Sequence, residues 1–201
     1  MHNLPIAFVL FFSVACAAAC RDDAPPSTTT LSAAGASNSS LGFVAKGAPT
    51  FSLSDAQILE VTHVANAGEI AQAKLAEQKS SDARVKKLAA MMITDHTDAD
   101  NKGAELARNE GLALAASTTS SSVKSDGGHI LADLSSKSGA DFDKAYVDAQ
   151  VSEHTAVLRA LDNQLIPNAR DGQVQALLQT IRSKVAEHLT HAQTLRSELS
   201  E

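Results

Sequence analysis

From Phe51 onward, apolar residues recur at every third or fourth position almost without interruption, the period of helices with one buried face. Ser54 followed by Gln57 is a capping-box start, and Ile58, Val61, Ala65 and Ala76 then share one face as far as Lys79. After the Ser80-Ser81 break, Val85, Leu88, Ala89, Met92, Ala99, Gly103 and Leu106 mark a second helix closing near Gly111. Ser117 to Ser125 is rich in Ser and Thr, and beyond it the pattern predicts only a short helix around Ile130 to Leu134. Ser138 and Asp141 form another capping signature. They open a third long helix through Tyr146, Val147, Val157, Leu158, Leu161 and Leu165, with Pro167 as its stop. A fourth begins near Gly172 and keeps Val174, Leu178, Ile181, Val185, Ala192, Leu195 and Leu199 in heptad-like spacing.

Short turns at about residues 79 to 81 and 167 to 171 make each flanking pair of helices an antiparallel hairpin, whereas a long segment separates the second helix from the third. Such connectivity predicts an all-α, ferritin-like four-helix bundle in which a long crossover joins two antiparallel hairpins. No strand pattern competes with it.

The N-terminus reads differently. Leu4 to Ala19 is an apolar run too short to span a bilayer, and Arg21, Asp22 and Asp23 follow it, so residues 1–20 are expected to be a signal peptide. Its first residues, Met1-His2-Asn3, lack the usual Lys or Arg. The chain's two cysteines, Cys16 and Cys20, each follow small residues, resembling the lipobox of bacterial lipoproteins, where the Cys carries the lipid. Neither has Leu three places earlier, and Cys20 is the better candidate because a polar linker follows at once. The alternative is cleavage to a soluble periplasmic protein. Residues 21–48, rich in Pro, Ser, Thr, Ala and Gly, are expected to be a flexible linker, and 49–201 the bundle. The expected location is the periplasm, with a lipid anchor at the outer membrane.

Charge and composition narrow the choice of partners. Seventeen Lys and Arg against 23 Asp and Glu leave a net charge of −6, with no basic run to follow a phosphate backbone. Nucleic acid is thereby excluded as a partner. Trp is absent and Tyr146 is the single Tyr, so no aromatic platform for stacking bases or sugars is available. No Ser-His-Asp order and no Gly-rich phosphate loop is present.

At about 100° per residue, each long helix carries one titratable group near the centre of its apolar stripe. Glu69 lies about 20° from the Ile58 direction, and His96 about 20° from the Val85 direction. His154 sits between Val157 and Leu158, with Gln150 a turn earlier, and His188 between Val185 and Ala192. Asp95 and His191 flank their stripes, within reach if they swing inward. A carboxylate and three imidazoles in one core are costly to bury unless they bind one another, water or a metal, and bundle cores build metal sites in this way. The expected ligand is one transition metal ion, Fe, Mn, Zn or Cu. The bland alternative is a water-filled polar network or histidines that reach solvent. Reflecting the helices across their turns leaves height mismatches of roughly 4.5 to 6 Å at 1.5 Å per residue. The Glu-x-x-His di-iron signature is absent, since Glu153 is followed by Ala156 and Glu187 by Thr190, so a mononuclear or His-rich site is expected.

Other candidates read as structure. Met91 and Met92 fill core rather than bind copper, and Tyr146 packs its ring and bonds its hydroxyl. Phe142-Asp143 anchors the third helix. His63 and His129 lie off the stripes, and Lys79, Arg84, Lys86 and Lys87 form a solvated face.

Taken together, Glu69, the run Lys86-Lys87-Leu88-Ala89-Ala90-Met91-Met92-Ile93-Thr94-Asp95-His96, Phe142-Asp143-x-x-Tyr146, His154 and His188-Leu189-x-x-Ala192 resemble a bacterial family, domain of unknown function 4142. The resemblance spans about residues 52 to 197 and implies an outer-membrane or periplasmic protein with a ferritin-like four-helix fold. It implies no activity. Two functional classes remain: a metal-binding bundle serving metal handling or protection from oxidants, and a non-catalytic envelope bundle that binds a protein or lipid partner. A third, enzymatic oxidation at a mononuclear site, has no supporting residue beyond the ligands themselves.

Overall fold

The computed structural model describes residues 52 to 200, so the signal peptide, the linker, Cys16 and Cys20 lie outside the described residues. Along the chain the helices are α1 (Asp55–Lys79), α2 (Ala83–Asn109), α3 (Thr118–Ser135), α4 (Gly139–Ala160), the short α5 (Ile166–Asn168) and α6 (Gly172–Glu198). No strand occurs among the described residues. α1 packs along α2 and α4 along α6, giving the two expected hairpins; α2 lies against α6, and the crossover brings α3 onto α1.

Local signals explain most boundaries. Ser54 and Gln57 form the reciprocal capping box at the start of α1. Asp82 and Asp171 cap α2 and α6 through their carboxylates. Gly111, at φ 63°, ends α2 in the left-handed conformation that a side chain would disfavour.

Three boundaries depart from expectation. The crossover helix runs from Thr118 rather than from near Ile130. Ser117 and Ser120 cap it reciprocally, and Val123, Ile130 and Leu134 bury a stripe against the bundle, which outweighs the weak helix propensity of its serines. At α4, Ser138 stands at the cap position but makes no side-chain cap bond, because the chain enters the helix through Gly139 at φ 55°. Pro167 does not stop the third long helix. Residues Leu161–Leu165 widen into a π-turn, with the Ile166 amide bonded to the Leu161 carbonyl five residues back, and the widened turn accommodates the proline within α5.

Two apolar clusters fill the bundle. One contains Ala73, Ala76, Val85, Leu88, Met92, Phe142, Tyr146, Val147 and Ala192; the other contains Ile58, Val61, Ala107, Leu161, Leu165, Val174, Leu178 and Val185. On every long helix, the polar residues picked out by the sequence fall between these clusters, forming a belt across the middle of the bundle. Lys79 departs from the solvated face assigned to it: its ammonium bonds the Leu134 and Ser135 carbonyls and sits over the Phe142 ring. Among the described residues no helix is long and apolar enough to cross a membrane.

Candidate metal centre

The belt is built from helix faces. α2 contributes His96, α4 His154 and α6 His188, all buried, and one ring nitrogen from each lies within 4.8 Å of the other two. The closest pair is His154 Nε2 and His188 Nδ1, 3.3 Å apart. α1, the fourth long helix, faces them with Asn66, Glu69 and Gln72, also buried.

The outward nitrogen of each ring fixes where its proton sits. His154 Nδ1 donates to the Gln150 carbonyl at 3.0 Å, a group that can only accept, so its Nε2 carries a bare lone pair. His188 Nε2 donates to Asp95 Oδ2 at 2.9 Å, which leaves Nδ1 bare. His96 Nδ1 donates to Asn66 Oδ1 at 2.9 Å, and its Nε2 is buried with no protein partner. No proton therefore lies between the close nitrogens of His154 and His188. Three lone pairs converge where a hydrogen-bonded core would show donors meeting acceptors.

Electrostatics keeps the rings in that state. Burial pushes His96 down to about 3, helped by the neighbouring imidazoles, and pushes His154 down to about 4. For His188, burial outweighs the Asp95 hydrogen bond and the shift is again downward. All three are neutral at physiological pH, the form that ligates metals. The carboxyl groups move the other way. Glu69 is raised to about 7 by burial, although the Gln150 amide bonds its Oε2 at 2.9 Å. Glu153 is raised too, first by burial and then by Glu69.

The expected ligands thus occupy different places. His96, His154 and His188 come together. Glu69 stands behind His154, with Oε1 3.8 Å from the outward Nδ1, and Asp95 stands behind His188. His191 is exposed, as are His63, bonded to Asp100 at 2.7 Å, and His129. Despite the expected mismatch in height, the ring nitrogens of His154 and His188 lie 3.3 Å apart and that of His96 within 4.8 Å of both. Tyr146 corrects the reading of its hydroxyl: the ring stacks on Phe142, but the hydroxyl has no protein partner among the described residues.

Two groups escaped the search for titratable residues. Asn66 orients His96, and Gln72 links Gln150 at 3.3 Å to Glu153 at 3.0 Å. Both lie on the inner face of α1 close to Glu69, so extending the search to buried carboxamides would have found them.

A family model for a domain of unknown function, DUF4142, matches residues 43–195. The chain belongs to this family. A search of curated proteins finds no match. Among solved structures, the chain is similar to one titled as a secreted protein, DUF305, from Streptomyces coelicolor, with a TM-score of 0.63 and 12% identity, covering 73% of this chain and 93% of that one. At that identity the likeness speaks for the fold, and the DUF4142 chain shares the ferritin-like helical fold.

Proposed function

We propose that this DUF4142 protein binds one divalent transition metal ion through His96, His154 and His188 and handles that ion in the cell envelope. The observation that carries the reading is the hydrogen-bond geometry: the outward nitrogen of each ring lies 2.9 or 3.0 Å from an acceptor oxygen of Asn66, the Gln150 carbonyl or Asp95, which leaves a lone pair of the neutral ring turned inward. Such outer partners orient and strengthen imidazole ligands at metal sites.

The spacing supports it. Tetrahedral ligands at about 2.0–2.1 Å from an ion stand about 3.3–3.4 Å apart. The His154–His188 pair already has that separation, and a shift of His96 by less than about 2 Å completes the set. Three neutral nitrogens without a thiolate suit Zn²⁺ or Cu²⁺ better than Mn²⁺. The Asp95 carboxylate offsets part of the ion's charge from behind His188, and Glu69 stands behind His154. Export is supported by the N-terminal apolar run and by the secreted solved relative, and anchoring through Cys20 or Cys16 would hold the bundle at the membrane.

The test is elemental analysis of the untagged chain purified without chelators, with melting temperatures before and after EDTA and in His154→Ala and His188→Ala variants. Near-stoichiometric Zn or Cu, a melting temperature that falls on chelation, and no such fall in the variants are expected. A metal-free chain whose melting ignores added Zn²⁺ and Cu²⁺ overturns the reading and leaves an envelope bundle whose partner, protein or lipid, is sought on its surface.

A further inference from the structure

Four buried oxygens on one face of α4 have no protein hydrogen-bond partner among the described residues: Asp143 Oδ1, Tyr146 Oη, Gln150 Oε1 and Glu153 Oε2. Spacings of three, four and three residues set them in a line along the helix. That line faces α1, because Gln150 bonds Glu69 and Gln72, and Gln72 bonds Glu153. α1 and α4 also share far less contact than the helices of either hairpin. In the same region the fully buried side chains that α1 gives to the cluster containing Phe142 and Tyr146 are the short ones of Ala73 and Ala76, with Leu75 partly buried beside them.

Stranding a buried acceptor costs about 1–3 kcal/mol. Four together would consume much of a domain's stability of about 5–15 kcal/mol unless water bonds them. A single water bridges polar atoms about 5.5 Å apart, whereas Asp143 to Glu153 spans ten residues, roughly 15 Å of helix. One water is therefore too few.

We propose that a file of internal water runs along the α1–α4 interface from Asp143 to Glu153 and supplies the imidazole centre with the water that fills the ion's remaining coordination position. Gln150 ties the file to the centre from behind His154: its carbonyl holds the outward Nδ1 and its side-chain oxygen lies on the file. The supply rests on the metal reading; the file itself does not.

Two measurements separate them. Oxygen-17 magnetic relaxation dispersion on the metal-free chain counts long-lived internal waters. Several are expected, with fewer in the Asp143→Leu/Tyr146→Phe variant and in Tyr146→Phe alone, which removes only a hydroxyl. No long-lived water, or an unchanged count in both variants, overturns the file. In the Cu²⁺-loaded chain, electron paramagnetic resonance reports nitrogen ligation and water-proton relaxation reports exchange at the ion. The variants are expected to keep the nitrogen signature and lose most of the relaxation enhancement. An unchanged enhancement overturns the supply. A missing nitrogen signature overturns the metal reading and the supply with it, and the dispersion count alone then decides the file.

Discussion

Ile58, Val174 and Leu178 at one end of the bundle, and Val85, Met92 and Phe142 at the other, are fully buried among apolar neighbours. Between them, on the same helices, His96, Gln150, His154 and His188 are nearly as deeply buried, yet polar. The ends lower the free energy of folding by removing apolar surface from water, roughly 25 cal/mol per Å². The belt works against folding, since each imidazole gives up hydration and keeps only one outward hydrogen bond. What the contrast teaches is that the belt is tolerated because apolar burial at the two ends outweighs its cost. Its cost is recovered only when something binds the inward lone pairs.

The comparison breaks most visibly by truncation at the ends. Phe142→Ala should destabilise the chain by about 3–5 kcal/mol and Leu178→Ala by about 2–5 kcal/mol, because each leaves a cavity. Neither touches an imidazole, so the rise in melting temperature on adding Zn²⁺ should survive in both. His154→Leu should do the reverse, keeping or raising metal-free stability while abolishing the metal response. Urea unfolding with and without Zn²⁺ checks the set. A lost metal response in Leu178→Ala would show that ends and belt are not separable.

Between about pH 4.5 and 8, acid and base act chiefly on the belt. The folded imidazoles titrate below the unfolded value of about 6.5, so their contribution is complete above that pH and is lost as pH falls toward the values of His96, about 3, and His154, about 4. Glu69 and Glu153 are shifted upward, so they favour the folded state below about 4.5 and lose that contribution as pH rises, for Glu69 through about 7. Between about 4.5 and 6.5, unfolding takes up protons at the imidazoles, with His188 adding its share according to its downward shift, and releases two carboxyl protons. Through most of that range the net uptake is at most about one proton, so the metal-free chain gains up to about 1.4 kcal/mol per pH unit. The maximum should fall near pH 6.5, and Glu69→Gln should steepen the acid limb. Urea midpoints from pH 4.5 to 8 test this, and a flat profile would mean the imidazoles are not held neutral by burial. Asp95→Asn, which weakens the acceptor behind His188, should lower metal affinity by about 10- to 100-fold with little effect on the apolar ends.

Much of this division was legible in the sequence. Apolar periodicity located the four long helices, and the stripe centres at His96, His154 and His188 located the imidazoles, because a buried face has a fixed period whatever its residues do. Two things were hidden. The serines of α3 look like loop until Val123, Ile130 and Leu134 find α1, since helices of weak propensity form on tertiary packing. Whether Glu69 or an imidazole faces the centre depends on stagger and side-chain reach, which periodicity does not contain. The outward proton pattern needs coordinates as well, except at one point. Reflection across the α1–α2 turn sets His96 level with residue 65 or 66, and Asn66 is there.

That coincidence frames the smallest and most discriminating change. Asn66 lies on the helix that supplies no imidazole, and its one contact with the centre is the bond that holds His96 Nδ1 protonated. Asn66→Leu removes the acceptor, so the His96 proton is free to move to Nε2 and occupy the lone pair meant for the ion. Metal affinity should fall by about tenfold, the lower end of the range for outer partners, because only one of three rings is disturbed. A structural role would show the same loss of stability without that tautomer dependence, and a double-mutant cycle separates the two. In a His96→Ala background, Asn66→Leu should leave the remaining Zn²⁺ or Cu²⁺ affinity unchanged. If it lowers affinity there as much as in the native chain, Asn66 acts through packing, and the proton pattern at His96 does not govern binding.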